Sequence, residues 1–266
     1  MIEMYHFWDS PCCFKVRMAL SEKQVDWTPK LLASVQFEHL GSEYQAINPH
    51  SIVPTLIHGG KVIFQSNVII EYLDEVFPKT SLKPETPAQR ALMRQWMQDE
   101  QTFLFPLVIT MSFNLMMTLR EKAYGMEQLQ IWSKKHPDQA RAQDYLNRVS
   151  SPVDQVALDQ AIEKFRWHME RLEKQIVVSG GPWICGKDYS LADVSIAPLL
   201  DRIEYLNLLS VLEECPRVTT WFKNIKSKKS FLDAQPPFEY RMWGPKKPIP
   251  NRQVGPDAPH GSFPSK

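Results

Sequence analysis

The apolar pattern of this sequence changes near residue 80, and no other feature constrains the fold as strongly. Three stretches before that point are typical of strands, and the third contains two strands joined by Gly59 and Gly60: "IEMYHFW", "DWTPKLL" and "VPTLIHGGKVIF". A glycine pair between two apolar runs favours a tight hairpin. Helix-like stretches alternate with these strands, which predicts an α/β first domain with a mixed, four-stranded sheet.

Beyond residue 80 the sequence is typical of helices. Two long stretches, "PAQRALMRQWMQDEQTFLF" and "VALDQAIEKFRWHMERLEKQI", repeat their apolar residues with a period near 3.6. The proline-containing stretch "PKTSLKPETP" separates the two patterns. We therefore expect a first domain over residues 1–80, a linker over 81–87, an all-α domain over 88–235 and an irregular, proline-rich tail over 236–266.

Composition narrows the classes of function. The chain has 31 Lys and Arg against 30 Asp and Glu, a formal net charge of +1, which predicts no nucleic-acid partner. The N-terminus lacks the pattern of a secretory signal, and four cysteines make a poor disulfide framework, so we expect a cytoplasmic protein. The uncharged run between Glu100 and Arg120 is interrupted by polar residues and Pro106. It predicts a buried helix, kinked near that proline, and no membrane span.

Ser10 and Pro11 mark the start of the first predicted helix, in "FWDSPCCFKVR". The ordinary interpretation is an N-cap serine followed by proline at the first helical position. The free N–H groups of a helix start also favour an anion, and a thiolate held there has a lowered pKa. From these residues alone, structural and chemical roles both stay open for Ser10 and Cys12.

Two further stretches contain residues suited to binding a ligand. Pro54 stands just before a predicted strand, where a trans proline fits a sheet poorly. A cis bond between Val53 and Pro54 would turn the chain and expose the Val53 backbone. Gln65 and Ser66 precede the next helix, where Ser66 is a natural N-cap and the helix start could equally bind a carboxylate.

Together, "SPCCFKVRMAL" and "NPHSIVPTLIHGGKVIFQSNVIIEYLDE" resemble the first domain of cytosolic glutathione transferases. The resemblance covers roughly residues 2–235. It implies a thioredoxin-like first domain, an all-α second domain, glutathione as co-substrate and a homodimer. It also implies that Ser10 donates a hydrogen bond to the glutathione thiolate, as the serine of plant tau-type members does.

The resemblance assigns the rest of the glutathione site to five residues: Val53, Pro54, Gln65, Ser66 and His39. The first two present their backbone to the cysteinyl part of glutathione. The next two hold the γ-glutamyl carboxylate and amine, and the histidine, in "FEHL", reaches the glycine carboxylate.

The reaction stays open among members of the family. "INPHSIVPTLIHGGKVIFQSNVIIEYLDEVFP" is similar to bacterial β-etherases, which cleave lignin-type aryl ethers with glutathione, and this is the favoured specific reaction. "YSLADVSIAPLLDRIEYLNL" is similar to the glutathione-dependent reductive dehalogenases of chlorinated hydroquinones, in which a cysteine two residues after the serine is a nucleophile. Cys12 has that position, so a dehalogenase or an isomerase is the alternative. Ile52 replaces the polar residue that zeta-type isomerases have before Val-Pro. A non-catalytic binding module of the same fold is a rival from a different class.

The electrophile's pocket is expected between the domains, beside the uncharged helix. Aromatic and thioether side chains there suit a flat, apolar, aromatic substrate: Trp8, Met93, Trp96, Phe103, Met111, Phe113 and Met117. For each of them, a place in the core or in a dimer interface is the alternative. No metal-ligand spacing is present in the sequence. Ser190 and Asp193 have the spacing of a capping box, which predicts a further helix start.

Overall fold

A computed structural model of the chain describes residues 1–32, 38–116, 125–237 and 240–241. Met117 and nearly all of the predicted tail lie outside these residues.

The first domain is built around a mixed, four-stranded sheet, which confirms the prediction. Its strands are β1 (Ile2–His6), β2 (Trp27–Leu31), β3 (Thr55–His58) and β4 (Lys61–Phe64), in the spatial order β2-β1-β3-β4. β1 pairs in parallel with β2 and antiparallel with β3, which pairs antiparallel with β4. Gly59 and Gly60 form the β3–β4 turn with φ of 57° and 77°, the left-handed region that this type of hairpin turn requires.

Three helices and a short 3₁₀ turn complete the first domain: α1 (Pro11–Glu22), the 3₁₀ turn (Glu38–Leu40), α2 (Ser42–Ile47) and α3 (Ser66–Val76). α1 is buried from Cys13 to Leu20 because α3 and two later helices pack around it.

The buried face of α3 differs from the prediction. Its apolar residues predict one buried face: Val68, Ile69, Tyr72, Leu73, Val76 and Phe77. In the structure Val68 and Val76 are exposed, and Asp74 is buried together with three apolar residues, Ile69, Ile70 and Leu73. The face is rotated because Asp74 has partners inside the protein. Its carboxylate accepts hydrogen bonds from the Lys23 ammonium and from the Leu82 N–H.

The described residues after position 86 form helices and turns. The elements are α4 (Pro87–Asp99), a π-helical turn (Glu100–Leu104), α5 (Phe105–Met116), α6 (Met126–Lys135), α7 (Gln139–Ser150), α8 (Gln155–Ser179), α9 (Leu191–Tyr205), a 3₁₀ turn (Leu209–Leu212), α10 (Pro216–Lys226) and α11 (Lys229–Ala234). The π turn directly precedes Pro106, where the sequence predicts a break. Since proline donates no N–H, the regular helical ladder is interrupted at this place.

One hydrophobic core crosses both domains. Leu82, in the predicted linker, is buried within it, and its carbonyl accepts from the Leu191 N–H at 2.9 Å. The capping box at the start of α9 is confirmed, since Asp193 Oδ2 accepts from the Ser190 N–H at 2.8 Å. In the described ranges, no helix combines the length and the apolar character that crossing a bilayer requires.

Helices α6 and α7 form a hairpin with a small core of its own. Its buried members are Leu40, Leu129, Trp132, Tyr145 and Val149. The Trp132 and Tyr145 rings lie 4.2 Å apart between centroids, and Phe113 of α5 packs against Tyr145 at 5.7 Å. Because Leu40 belongs to the 3₁₀ turn of the first domain, this hairpin joins that turn to the helical domain.

Candidate active site

Ser10 is the N-cap of α1. Its Oγ accepts from the Cys13 N–H at 3.3 Å, and its carbonyl accepts from the Phe14 N–H at 2.9 Å. Since Pro11 has no N–H, the Cys12 N–H is the first-turn donor without a partner in the described residues. The hydroxyl lies beside the Cys13 thiol, a weak acceptor, so its hydrogen can be donated to a stronger one. A thiolate at this helix start would therefore meet two donors.

The Val53–Pro54 peptide bond is cis, as the sequence predicts. The Tyr44 hydroxyl and the Asn48 amide donate to the Ile52 carbonyl at 2.6 Å and 3.0 Å, and both contact Thr55 Oγ1. Burial raises the pKa of Tyr44 to about 12, so its hydroxyl remains a donor. These bonds fix both sides of the cis bond. The backbone of residue 53 forms no hydrogen bond with the described residues, and its N–H and C=O remain for a ligand.

Gln65 and Ser66 lie at the start of α3. Gln65 has φ of 73° and ψ of 111°, a sparsely populated region for a residue other than glycine, and such strain concentrates at functional sites. The Ile69 N–H bonds to the Gln65 carbonyl, whereas the three preceding N–H groups of α3 have no partner among the described residues. This helix start therefore offers three donors to a carboxylate.

Cys12 lies between the two helix starts. Its thiol contacts the Ser66 side chain, and burial raises the pKa of the Cys12 thiol to about 12, although Lys15 favours the thiolate. Cys13 is fully buried, and burial raises its pKa also. Both thiols are therefore protonated at neutral pH.

His39 lies in the 3₁₀ turn and is half-buried. Its ring packs edge-on against Phe7, with centroids 5.0 Å apart. Its neighbour Leu40 belongs to the core of the α6–α7 hairpin. Phe7 lies three residues before Ser10, so this contact places the histidine beside the chain that leads into α1.

Four of the residues expected to line the substrate pocket do not lie together: Trp8, Trp96, Phe103 and Met111. Trp8 is buried beneath the Arg17 guanidinium, 4.5 Å from the ring centroid, and Met111 is fully buried in the core. Trp96 and Phe103 face α8: Trp96 lies below Arg171, and the Phe103 ring stacks on His168. This differs from the expectation because Trp96 of α4 and Phe103 of the π turn face α8, whereas Trp8 packs against α1 of the first domain.

The other expected pocket residues are also used for packing. Met93 is fully buried in the core, and Phe113 packs against the α6–α7 hairpin. Met116, at the end of α5, is linked to the loop before α1 through Arg202. Its sulfur accepts from Arg202 Nη1 at 3.4 Å, and the same guanidinium donates to the Asp9 carbonyl.

A buried network that was not predicted from the sequence lies beneath the two helix starts. Lys15 Nζ lies 2.6 Å from Glu100 Oε2 and 2.8 Å from Asn67 Oδ1. Asn67 donates to the Met97 carbonyl, and Ser195 Oγ lies 3.0 Å from the same Glu100 oxygen. The available signal was Lys15 and Arg17 inside a largely apolar helix, because a buried cation needs a partner. The described residues contain no cluster of three or more His, Cys, Asp or Glu suited to a metal ion.

Comparison with known proteins now identifies the class. Family models for the N-terminal and C-terminal domains of glutathione S-transferases match residues 9–76 and 154–231. The chain belongs to the glutathione S-transferase family, and glutathione is the co-substrate of that family.

Individual relatives are distant but span nearly the whole chain. Glutathione S-transferase A of Pleuronectes platessa is 27% identical over 232 residues, which cover 86% of this chain and 88% of that protein. Tetrachloro-p-hydroquinone reductive dehalogenase of Sphingobium chlorophenolicum is 24% identical over 247 residues, covering 88% and 95%. The crystal structure of β-etherase LigF from Sphingobium sp. strain SYK-6 matches with a TM-score of 0.78 at 25% identity, covering 86% and 96%.

Proposed function

We propose that this glutathione S-transferase cleaves β-aryl ethers of apolar aromatic substrates, with Ser10 as the residue that activates glutathione. The observation that carries the proposal is the geometry at Ser10, a hydroxyl at a helix start that accepts from the Cys13 N–H and lies beside the Cys13 thiol, a weak acceptor that a glutathione thiolate could replace. The likeness to a β-etherase structure over most of both chains supports the substrate class.

Glutathione would bind across the two helix starts. Its γ-glutamyl carboxylate would accept from the first N–H groups of α3, with Gln65 and Ser66 holding the carboxylate and amine. The Val53 N–H and C=O, beside the cis Pro54, would pair with the cysteinyl backbone. His39 would bind the glycine carboxylate.

In the reaction, the glutathione thiol loses its proton and the Ser10 hydroxyl donates to the thiolate. The sulfur attacks the carbon that bears the aryl ether, a C–S bond forms, and the C–O bond breaks. The leaving aryloxide takes a proton from solvent and departs as a phenol. A thiol of pKa about 8.5 is mostly protonated at pH 7, and a decrease of about two units raises the thiolate fraction roughly thirtyfold.

Cys12 is the second candidate nucleophile, as in a reductive dehalogenase, and its contact with Ser66 supports a role in the same site. Its raised pKa disfavours attack by its own sulfur at neutral pH, which supports Ser10 as the activating residue. In this proposal, Cys12 supplies its backbone N–H to the thiolate.

The substrate's aromatic group would lie between the domains, against the loop of Trp8 and Asp9 and the end of α5 at Met116. We assign Phe103 to a different role, because it belongs to the surface formed by the π turn and α8, whereas Trp96 of α4 is buried beneath Arg171. Large apolar side chains are exposed on α8 and beside it: Phe103, Val156, Trp167, Val177 and Val178.

We propose that a second copy of the chain covers this surface in a homodimer, since exposed apolar patches of this kind mark interfaces. A dimer by light scattering that dissociates in Trp167→Glu would support this arrangement. A monomeric wild-type protein would contradict it.

The four thiols are all unpaired, which supports a cytoplasmic location.

The decisive experiment compares two serine variants of the same helix. Wild type, Ser10→Ala and Ser21→Ala are assayed with glutathione and an α-aryloxy ketone, with release of the phenol as the readout. We expect kcat/KM to fall by roughly 10²- to 10³-fold in Ser10→Ala, the usual cost of removing one donor to a developing or bound anion. Ser21, at the far end of α1, bonds Asp233, so Ser21→Ala should match the wild type.

Other outcomes would point to the alternatives. Activity that survives Ser10→Ala but is lost in Cys12→Ala would show that Cys12 of the protein is an essential nucleophile, as in the dehalogenase hypothesis. Absence of any heat of binding with glutathione would favour the non-catalytic module.

A further inference from the structure

Buried arginines surround the turn that leads into Ser10. Arg17 of α1 donates Nη1 to the Phe7 carbonyl at 3.2 Å and Nη2 to the Trp8 carbonyl at 2.9 Å. Its Nε donates to the carbonyl of Ala234, the last residue of α11, at 2.9 Å. One guanidinium thus ties the turn to the end of the helical domain.

Two more arginines reach the next residue of the same turn. Arg202 of α9 donates to the Asp9 carbonyl, and its Nη2 lies 2.9 Å from Asp9 Oδ1. Arg241, beyond α11, pairs with Asp201 at 2.6 Å and lies 3.8 Å from Asp9 Oδ1. The Tyr205 hydroxyl holds the Arg241 carbonyl at 2.9 Å. The tail residue 241 is therefore docked against the active-site turn.

The cluster carries an excess of positive charge. Three guanidinium groups face two carboxylates, Asp9 and Asp201, and the side chains of Arg241 and Asp201 are each only 2% exposed. His6 does not add to this charge, since burial, with Arg17 second, lowers its pKa well below the ordinary value. Among the described residues, one positive charge of this cluster remains unbalanced behind the peptide bond that joins Asp9 to Ser10.

Other ionisable groups near Ser10 contribute little net charge. The remaining groups on the elements packed around it are Cys12, Cys13, Lys15, Glu100 and His39. The two thiols are protonated, and Lys15 and Glu100 form a closed pair. The arginine cluster is thus the source of net positive charge at the start of α1.

We propose that Arg241 is a positioning residue for catalysis. It fixes Asp9 and neutralises the Asp9 carboxylate, so the remaining positive charge of the arginine cluster stabilises the glutathione thiolate that Ser10 binds. This inference rests on the proposed function. It assigns a task to the segment beyond α11, which the family's motifs do not explain. At a separation of about 10 Å and an effective dielectric constant of about 20, one unit charge shifts a pKa by roughly one unit.

The test measures the thiol pKa of bound glutathione by ultraviolet titration of the thiolate. Arg241→Met removes the charge at similar length, Arg241→Lys retains it, and Lys226→Met is the matched control. Lys226 pairs with Glu204 on another part of the surface. We expect the pKa of the bound thiol to rise by about one unit in Arg241→Met, and by less than half as much in Arg241→Lys. The pH profile of kcat/KM should move with it.

The outcomes separate this inference from the proposed function. An unshifted thiol pKa in Arg241→Met, with glutathione still bound, overturns the role of Arg241 and leaves the transferase proposal intact. Equal shifts in both Arg241 variants also overturn it, since the charge would then not be the cause. A wild-type protein that binds no glutathione contradicts the proposed function itself.

Discussion

Two buried charged networks lie on either side of the first turn of α1, and they differ in balance. On one side Lys15 meets Glu100 in a closed pair, with Nζ and Oε2 2.6 Å apart and both side chains 2% exposed. On the other side, Arg17, Arg202 and Arg241 face two carboxylates. The balanced network joins the helix starts to the helical domain, whereas the unbalanced network leaves positive charge behind Ser10.

The balance of charge in each network determines what that network contributes. A neutral pair exerts little field at a distance, but either partner alone would be a buried, uncompensated charge. Its main role is to position the start of α3, because Asn67 lies in that first turn. An unbalanced cluster acts on a nearby anion through charge. We therefore expect changes in the Lys15–Glu100 network to affect mainly the free energy of unfolding. Changes in the arginine cluster should affect mainly the pKa of the bound glutathione thiol.

The largest expected effect on stability comes from breaking the balanced pair. Lys15→Met leaves the Glu100 carboxylate buried without its cation, and we expect a loss of about 3–5 kcal/mol in the free energy of unfolding, measured by urea denaturation. The double variant Lys15→Met/Glu100→Gln should recover part of that loss. Arg94→Met, which breaks an exposed pair with Glu71, should cost less than about 1 kcal/mol. If Lys15→Met and Arg94→Met lowered the free energy of unfolding equally, the Lys15–Glu100 pair would not be the stabilising network proposed here.

A pH titration tests the unbalanced side. His6 is fully buried, its Nδ1 lies 3.4 Å from Arg17 Nη1, and its pKa is well below the ordinary value. Below about pH 6.5 the unfolded chain binds a proton that the folded protein does not bind, so stability falls as the pH falls. We expect a slope of up to about 1.4 kcal/mol per pH unit from this residue, measured by urea unfolding between about pH 7.5 and 5.

The control for this titration replaces the histidine. His6→Gln should flatten the slope by about the contribution of one proton. A slope identical to that of the wild type would show that His6 accepts a proton in the folded state. The net positive charge of the arginine cluster beside His6 would then be smaller than the geometry indicates.

Local sequence signals predicted most of the first domain. The glycine pair predicted the β3–β4 hairpin, and Ser10-Pro11 predicted the start of α1, since each rests on the conformation of one or two residues. A trans proline fits poorly just before a strand, which suggested the cis bond that the structure shows at Pro54. Such features need no knowledge of distant contacts.

Features that depend on distant contacts were not predicted. Lys15 has its partners 52 and 85 residues away, and Arg17 reaches a carbonyl 217 residues away. The buried face of α3 was misplaced because it depends on Asp74 finding Lys23. The uncharged run after Glu100 indicated the lining of a substrate pocket. Its helical period could not show that Phe103, together with Trp96 of α4, faces α8. The residue-level assignments of the glutathione site remain predictions for the experiments above.

The smallest expected change in stability comes from a variant that also tests whether the Lys15–Glu100 network affects the pKa of the glutathione thiol. Ser195 Oγ lies 3.0 Å from Glu100 Oε2 and 3.1 Å from Asn67 Oδ1, and its hydroxyl can donate only one hydrogen. Ser195→Ala leaves Lys15 paired with Glu100, so we expect a loss of about 1 kcal/mol in the free energy of unfolding. The thiol pKa of bound glutathione should stay unchanged, because no charge is removed. A loss as large as that of Lys15→Met would show that the hydroxyl holds the carboxylate as firmly as the ammonium does. A shifted thiol pKa would show that both networks act on the sulfur, and the contrast between them would disappear.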